Sequence, residues 1–215
     1  MTRTTRWTIA ILAVVAALTA ALVAELRDDS APTAPVPTAA GREHRDADTP
    51  AALAVPRQRA GLPPCPAATG DSGGLSPAAL RGLTVECAAD GTAVDVGRAL
   101  AGRRVILNFW AYWCVPCAAE LPALAEYQRR AGPGVTVLTV HQDENETAAL
   151  LRLAELGVRL PTLQDGRRRI AAALGVVNVM PATVVLRPDG SVAQTLPRAF
   201  ASADEIAAAV GNDAG

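Results

Sequence analysis

Cys114-Val115-Pro116-Cys117 is the stretch of this sequence best suited to chemistry. Two thiols with two residues between them can close a disulfide and open it again, so the pair carries two electrons without a cofactor. The apolar run VILNFW, Val105 to Trp110, precedes it, and AAELPALAEYQRR follows with Leu121, Leu124 and Tyr127 at helical spacing. That context puts the first thiol at a helix N-terminus, where unpaired backbone N–H groups and the positive end of the dipole favour thiolate. Cys114 is the expected nucleophile. Cys117, one turn on and more buried, is the expected resolving thiol, and Pro116 holds the turn without losing a needed N–H.

The same spacing occurs in half of many zinc sites, but the other half is missing. Cys65 and Cys87 are 22 residues apart, and the chain has two His, His44 in a polar stretch and His141 in an expected strand-to-helix loop at the surface. No metal and no cofactor is expected.

The elements that must hold the pair can be traced along the chain. Val105–Trp110 forms a buried central strand, the helix after Cys114 should kink at Pro122, and Val135–Val140 forms a second buried strand. An acidic helix start at Asp143–Glu146 leads into an apolar stripe at Ala149, Leu150, Leu153 and Leu156. Strand, helix, strand, helix predicts a parallel crossover. A weak helix over Arg167–Leu174 precedes a hairpin, Ala182–Leu186 and Ser191–Leu196 about the turn Pro188-Asp189-Gly190. A last helix starts at the N-cap Ser202, with Glu205 three residues on, and ends at Val210.

The 215 residues are 50% hydrophobic and 19% charged with a formal net charge of -1, which excludes a disordered tail and a basic nucleic-acid binder. After a basic tail, residues 1–6, an uncharged run from Trp7 to Ala24 spans roughly 27 Å, enough to cross a bilayer once. With Arg3 and Arg6 before the run and Glu25, Asp28 and Asp29 after it, the expected arrangement is a cytoplasmic N-terminus, a single-pass signal-anchor over 7–26, and everything else outside the cell membrane. A cleaved signal peptide is the alternative, although no two alanines of this run have the spacing of an A-x-A cleavage site. Residues 27–64, rich in Pro, Ala and balanced charge, are the expected disordered tether, and 65–215 the folded domain. In an oxidising compartment Cys65 and Cys87 form by default a structural disulfide, with a second redox pair relaying electrons to Cys114 as the alternative.

N-F-W-A-Y-W-C-V-P-C-A-A-E-L-P from Asn108 to Pro122, joined with Val179-Met180-Pro181-Ala182-Thr183, resembles the thioredoxin superfamily and, within it, the membrane-anchored TlpA/ResA-like thiol-disulfide oxidoreductases. The similarity covers roughly Asp90 to Val210. It implies an α/β thioredoxin-like fold, a central mixed sheet flanked by helices. It also implies that Pro181 is cis and that Met180 and Pro181, with Trp113 and Pro116 of the W-C-x-P-C motif, make the substrate-docking edge. General thioredoxins carry a buried Asp on the redox strand where this chain has Asn108, which cannot exchange a proton. Glu120, three residues after Cys117, matches the acidic residue that the TlpA/ResA-like family places beside its site, and is expected to take the proton from Cys117 with its pKa raised by burial. Ala118-Ala119 replaces the basic residues that often follow the second Cys, which weakens the expectation of a strongly acidic Cys114.

The resemblance implies a reductase of disulfides in exported proteins, such as those of cytochrome c or metalloprotein maturation, kept reduced by a membrane thiol electron donor. A disulfide-forming oxidant would use the same residues. A copper-binding chaperone would use Cys114, Cys117 and a third ligand such as His141 or Met180, though such proteins carry C-x-x-x-C.

Overall fold

The computed structural model describes residues 48–68 and 76–211. In chain order they form α1 (Pro50–Ala60), β1 (Thr84–Cys87), β2 (Ala93–Asp95), α2 (Val96–Leu100), β3 (Val105–Trp110), α3 (Val115–Ala131), β4 (Thr136–His141), α4 (Glu146–Leu156), β5 (Thr162–Gln164), α5 (Arg169–Ala173), β6 (Ala182–Leu186), β7 (Val192–Leu196) and α6 (Ala203–Val210). The strands make one mixed sheet in the order β2-β1-β5-β4-β3-β6-β7. β3 lies parallel to β4, as the crossover requires, β6 lies antiparallel to β7, as the hairpin requires, and β3 also pairs antiparallel with β6.

Every residue of β3 is buried, so its two sets of alternating side chains feed two cores. Val105, Leu107 and Phe109 join Leu138, Val184, Leu100 and Ile170 on one face. Ile106 and Trp110 join Leu121, Leu124, Leu153 and Ile206 on the other. Asn108 is on this second face. The register aligns Thr183, Asn108, Thr139 and Thr162 in a row across β6, β3, β4 and β5, all four fully buried. Such a row must satisfy its own hydrogen bonds, and the Thr139 and Thr162 hydroxyls pair at 2.8 Å.

α3 buries Cys117, Glu120, Leu121, Leu124 and Tyr127, an i, i+3, i+4 stripe that carries the carboxylate of Glu120 into the core with its apolar neighbours. The helix continues through Pro122 without a break. The final helix begins as expected, with Ser202 Oγ accepting the Glu205 N–H.

The expected anchor over 7–26 and the first part of the tether lie outside the described residues. No described helix is long and apolar enough to cross a membrane. Within the stretch expected to be disordered, residues 50–60 instead form α1, which corrects the boundary set at residue 65. Thr49 caps α1, Pro50 sits at the start where its missing N–H costs nothing, and Gly61 closes it in left-handed backbone at φ 55°. Leu53 and Ala60 bury against Leu150 and Ala88, and Arg57 reaches Glu146 at 2.9 Å. The helix has two apolar anchors seven residues apart and no continuous stripe, so its order comes from what it packs on.

Candidate active site

β3 ends at Trp110, and a turn closed by the Cys114 N–H on the Ala111 carbonyl (3.0 Å) delivers Cys114 to the N-cap of α3. The cap group is the sulfur itself: Cys114 Sγ accepts the Cys117 N–H at 3.3 Å. That contact lets the helix N-terminus stabilise a thiolate on Cys114 once the bond opens. Cys114 and Cys117 are joined in a disulfide with Cα atoms 5.2 Å apart. Cys114 keeps 5% of its surface exposed and Cys117 none, so an incoming sulfur meets Cys114 first.

Below the pair lies a buried carboxylate. Glu120 Oε2 accepts from Asn108 Nδ2 at 2.9 Å, and the same amide reaches Thr183 Oγ1 at 3.2 Å. Glu120 Oε1 and Asn108 Oδ1 accept no hydrogen bond of normal geometry among the described residues. Burial pushes the Glu120 pKa up from 4.5 to about 7, with the Asn108 amide and then the Phe200 backbone N–H pulling it back. A carboxylic acid poised near neutrality can take and return a proton at physiological pH. Asn108 cannot titrate, but it holds the group that does.

The Met180–Pro181 peptide bond is cis. Pro181 is buried and leads directly into β6, whose Ala182 pairs with Phe109 near the end of β3. Met180 packs against the core that contains both cysteines, and its backbone N–H makes no backbone hydrogen bond among the described residues. Trp113 stands 55% exposed beside the pair, its Nε1–H donating to Asp143 Oδ2 at 3.0 Å. Pro116 is also exposed.

The sequence profile named Redoxin matches residues 64–207. The chain belongs to the redoxin family. Thiol-disulfide oxidoreductase ResA of Bacillus subtilis (strain 168) is 33% identical over 98 residues, 45% of this chain and 54% of that protein. This redoxin thus spans about half the length of the curated relative it matches. A secreted Mycobacterium tuberculosis disulfide oxidoreductase homologous to E. coli DsbE superposes with a TM-score of 0.53 at 27% identity, over 61% of this chain and 96% of its own. A secreted thiol-disulfide isomerase from Corynebacterium glutamicum has a TM-score of 0.53 at 27% identity, over 59% and 80% respectively.

The structure thus gathers Cys114, Cys117, Glu120, Trp113, Pro116, Met180 and Pro181 around one end of the redoxin sheet. It leaves Cys65 and Cys87 elsewhere. They form a second disulfide, Cα atoms 5.8 Å apart, with the Cys65 N–H on Cys87 Sγ at 3.2 Å. Cys87, just ahead of the stretch that carries the resemblance, ends β1, fully inside the sheet and paired with Leu163 of β5. β5 and β4 stand between β1 and the strand that delivers Cys114, about 14 Å of sheet.

His141 corrects another expectation. It is the last residue of β4, fully buried, with Nδ1 2.8 Å from Gln164 Oε1 and its ring 5.0 Å from that of Trp110. Burial pushes its pKa down, which keeps the ring neutral. The strand runs one residue further than its apolar run suggested, and that residue carries the imidazole inward. Among the described residues no three His, Cys, Asp or Glu side chains converge as a metal site. Thr183, whose hydroxyl accepts from the Asn108 amide, went unrecognised as a site residue. A polar residue inside an otherwise apolar strand, as at Asn108, is the signal that a buried partner must exist.

Proposed function

We propose that this redoxin is a membrane-anchored, extracytoplasmic thiol-disulfide oxidoreductase that reduces disulfides in exported proteins. One observation carries the reading: a disulfide at a helix N-cap whose inner sulfur sits on the same buried stripe as a carboxylate with a pKa of about 7. In the reduced enzyme, the Cys114 thiolate attacks one sulfur of a substrate disulfide. The substrate's other sulfur leaves as thiolate and takes a proton from solvent. Glu120 removes the Cys117 proton, and the Cys117 thiolate attacks Cys114 Sγ, closing the enzyme disulfide and expelling the second substrate thiolate, which the Glu120 carboxylic acid reprotonates. Two electrons pass from enzyme to substrate, and a membrane thiol donor restores the dithiol.

The apolar run Trp7–Ala24, the second disulfide and the secreted relatives support the extracytoplasmic location. The TlpA/ResA resemblance supports a role in cytochrome c or metalloprotein maturation. The deciding experiment is the reduction potential of the Cys114–Cys117 pair, by equilibration in defined thiol buffers with mass-spectrometric readout. A value near or below roughly -250 mV supports the reductase, and a value near roughly -120 mV makes the protein a disulfide donor.

A further inference from the structure

The rim of the disulfide is apolar, with Trp113 and Val115 at the cysteine loop and Val177 and Val179 before the cis peptide bond, all exposed. Two charged side chains touch it, Asp143 at the Trp113 indole and Arg168 at Met180. Arg168 Nη1 donates to Asn178 Oδ1, and Nη2 lies 3.7 Å from Met180 Sδ, so the guanidinium is fastened to the segment that ends in Met180–Pro181. Both of its partners are neutral. Arg168 makes no ion pair among the described residues, whereas its neighbour Arg169 lies 3.8 Å from Asp165 and donates to the Thr84 carbonyl. Asp143, the acid that touches the cysteine loop, already accepts from the Trp113 indole and the Asn145 N–H.

The placement of Arg168 is built into the fold. Among the described residues it is the sole non-glycine at positive φ, 57°, a backbone region that costs an L-residue about 1 kcal/mol. Buried Asp165 enforces the turn: its carbonyl accepts the Arg168 N–H at 2.9 Å, and its two carboxylate oxygens accept the N–H groups of Arg169 (3.1 Å) and Ile170 (2.8 Å). A half-buried guanidinium with only neutral partners retains its full charge for a partner that arrives from outside.

We propose that Arg168 is a specificity-determining residue: it pairs with an acidic side chain flanking the cysteine of a substrate disulfide that docks along Met180. The proposal rests on the oxidoreductase reading above, and the substrate class it names is an apolar peptide segment with Asp or Glu beside its disulfide cysteine. Asn178 then holds the guanidinium in place until the carboxylate displaces it.

The test uses the full chain, reduced, and three synthetic peptides. Each carries one cysteine as a mixed disulfide with 2-mercaptoethanol and differs only in having Glu, Gln or Arg on both sides of it. Hydroxyethyl disulfide serves as a neutral small probe. Wild type should release the Glu peptide about fivefold faster than the Gln peptide and the Arg peptide slowest, with the spread shrinking at high salt. Arg168→Gln and Arg168→Gly should flatten the series and Arg168→Glu reverse it, all three reducing hydroxyethyl disulfide at the wild-type rate. Gly suits the positive φ, so its variant keeps the turn if the others strain it. A Glu-to-Arg peptide ratio that is unity in wild type, or unchanged by loss of the charge, overturns the proposal while leaving oxidoreduction standing. Failure of wild type to reduce even hydroxyethyl disulfide sinks the oxidoreductase reading and the proposal with it.

Discussion

The two disulfides of this chain use the same bond in opposite surroundings. Cys114–Cys117 links neighbours in one helical turn, with a helix dipole at one sulfur and a titratable carboxylate on the buried side of the same helix. Cys65–Cys87 links residues 22 apart, joins the segment after α1 to the sheet, and has the Thr162 carbonyl oxygen 3.3 Å from Cys65 Sγ. Among the described residues the partners of its two sulfurs are backbone groups, the Cys65 N–H and the Thr162 carbonyl, and no titratable side chain hydrogen-bonds to either. A disulfide is reactive or structural according to what stabilises its reduced form, and here only one pair has such help.

The separation across β5 and β4 also bears on a relay. Thiol exchange needs sulfur to meet sulfur, and about 14 Å of sheet prevents it within one folded chain.

Replacing one cysteine of each pair gives the largest contrast. Cys114→Ser should lower turnover of a protein disulfide about a thousandfold or more, whereas the double variant Cys65→Ser, Cys87→Ser should stay within about twofold of wild type. Loss of turnover in the double variant would make the outer pair a working part of the reaction.

Stability should rank the pairs the other way. Opening the Cys65–Cys87 loop should cost about 3 kcal/mol in urea unfolding, against about 2 kcal/mol for the shorter Cys114–Cys117 loop. Equal losses would erase the distinction drawn here.

Glu120→Gln sharpens the chemical side. Because the folded-state pKa is raised from 4.5 to about 7, the stabilising contribution of the neutral carboxyl is intact below about pH 4.5 and is lost as pH rises through 7. Near pH 8 the variant should therefore gain up to about 3 kcal/mol over wild type, and at pH 4 nothing, as read by unfolding across pH. The pH profile of Cys117 attack should lose its inflection near 7 while reduction of Cys65–Cys87 in unfolded chain is unaffected. An unaltered pH profile would reduce Glu120 to a packing residue.

Leu53→Ala probes what the outer pair protects. It should cost about 2 kcal/mol and hasten protease cleavage within α1, with turnover unchanged, because Leu53 packs on Leu150 and Ala88 far from the cysteine loop in the chain. A matching fall in turnover would couple α1 to the active site.

Much of this was legible before any coordinates. The strand-Cys-helix order, the parallel crossover, the hairpin and the Ser202 cap follow from local periodicity and capping chemistry, and each formed. β1, β2 and β5 went unread, as they have four, three and three residues, too few to show a period, and they exist through pairing with distant strands. α1 was read as tether for the related reason that its side chains show no stripe until Leu150 and Glu146 are placed beneath it. His141 was misread because one residue decides whether a strand end points its side chain inward.

By itself the sequence determined which atoms could react and the local geometry between them. Cys114 at an N-cap and Cys117 one turn on are fixed by helix pitch, and Glu120 follows on the same face. Only the tertiary structure decided what those atoms would be worth. Asn108 and Glu120 meet because β3 lies beneath α3, and Arg168 reaches Met180 because Asp165 bends the chain there. A pKa of about 7 on a carboxyl group is a consequence of desolvation, and desolvation belongs to packing among segments distant in the chain, which no local pattern of residues records.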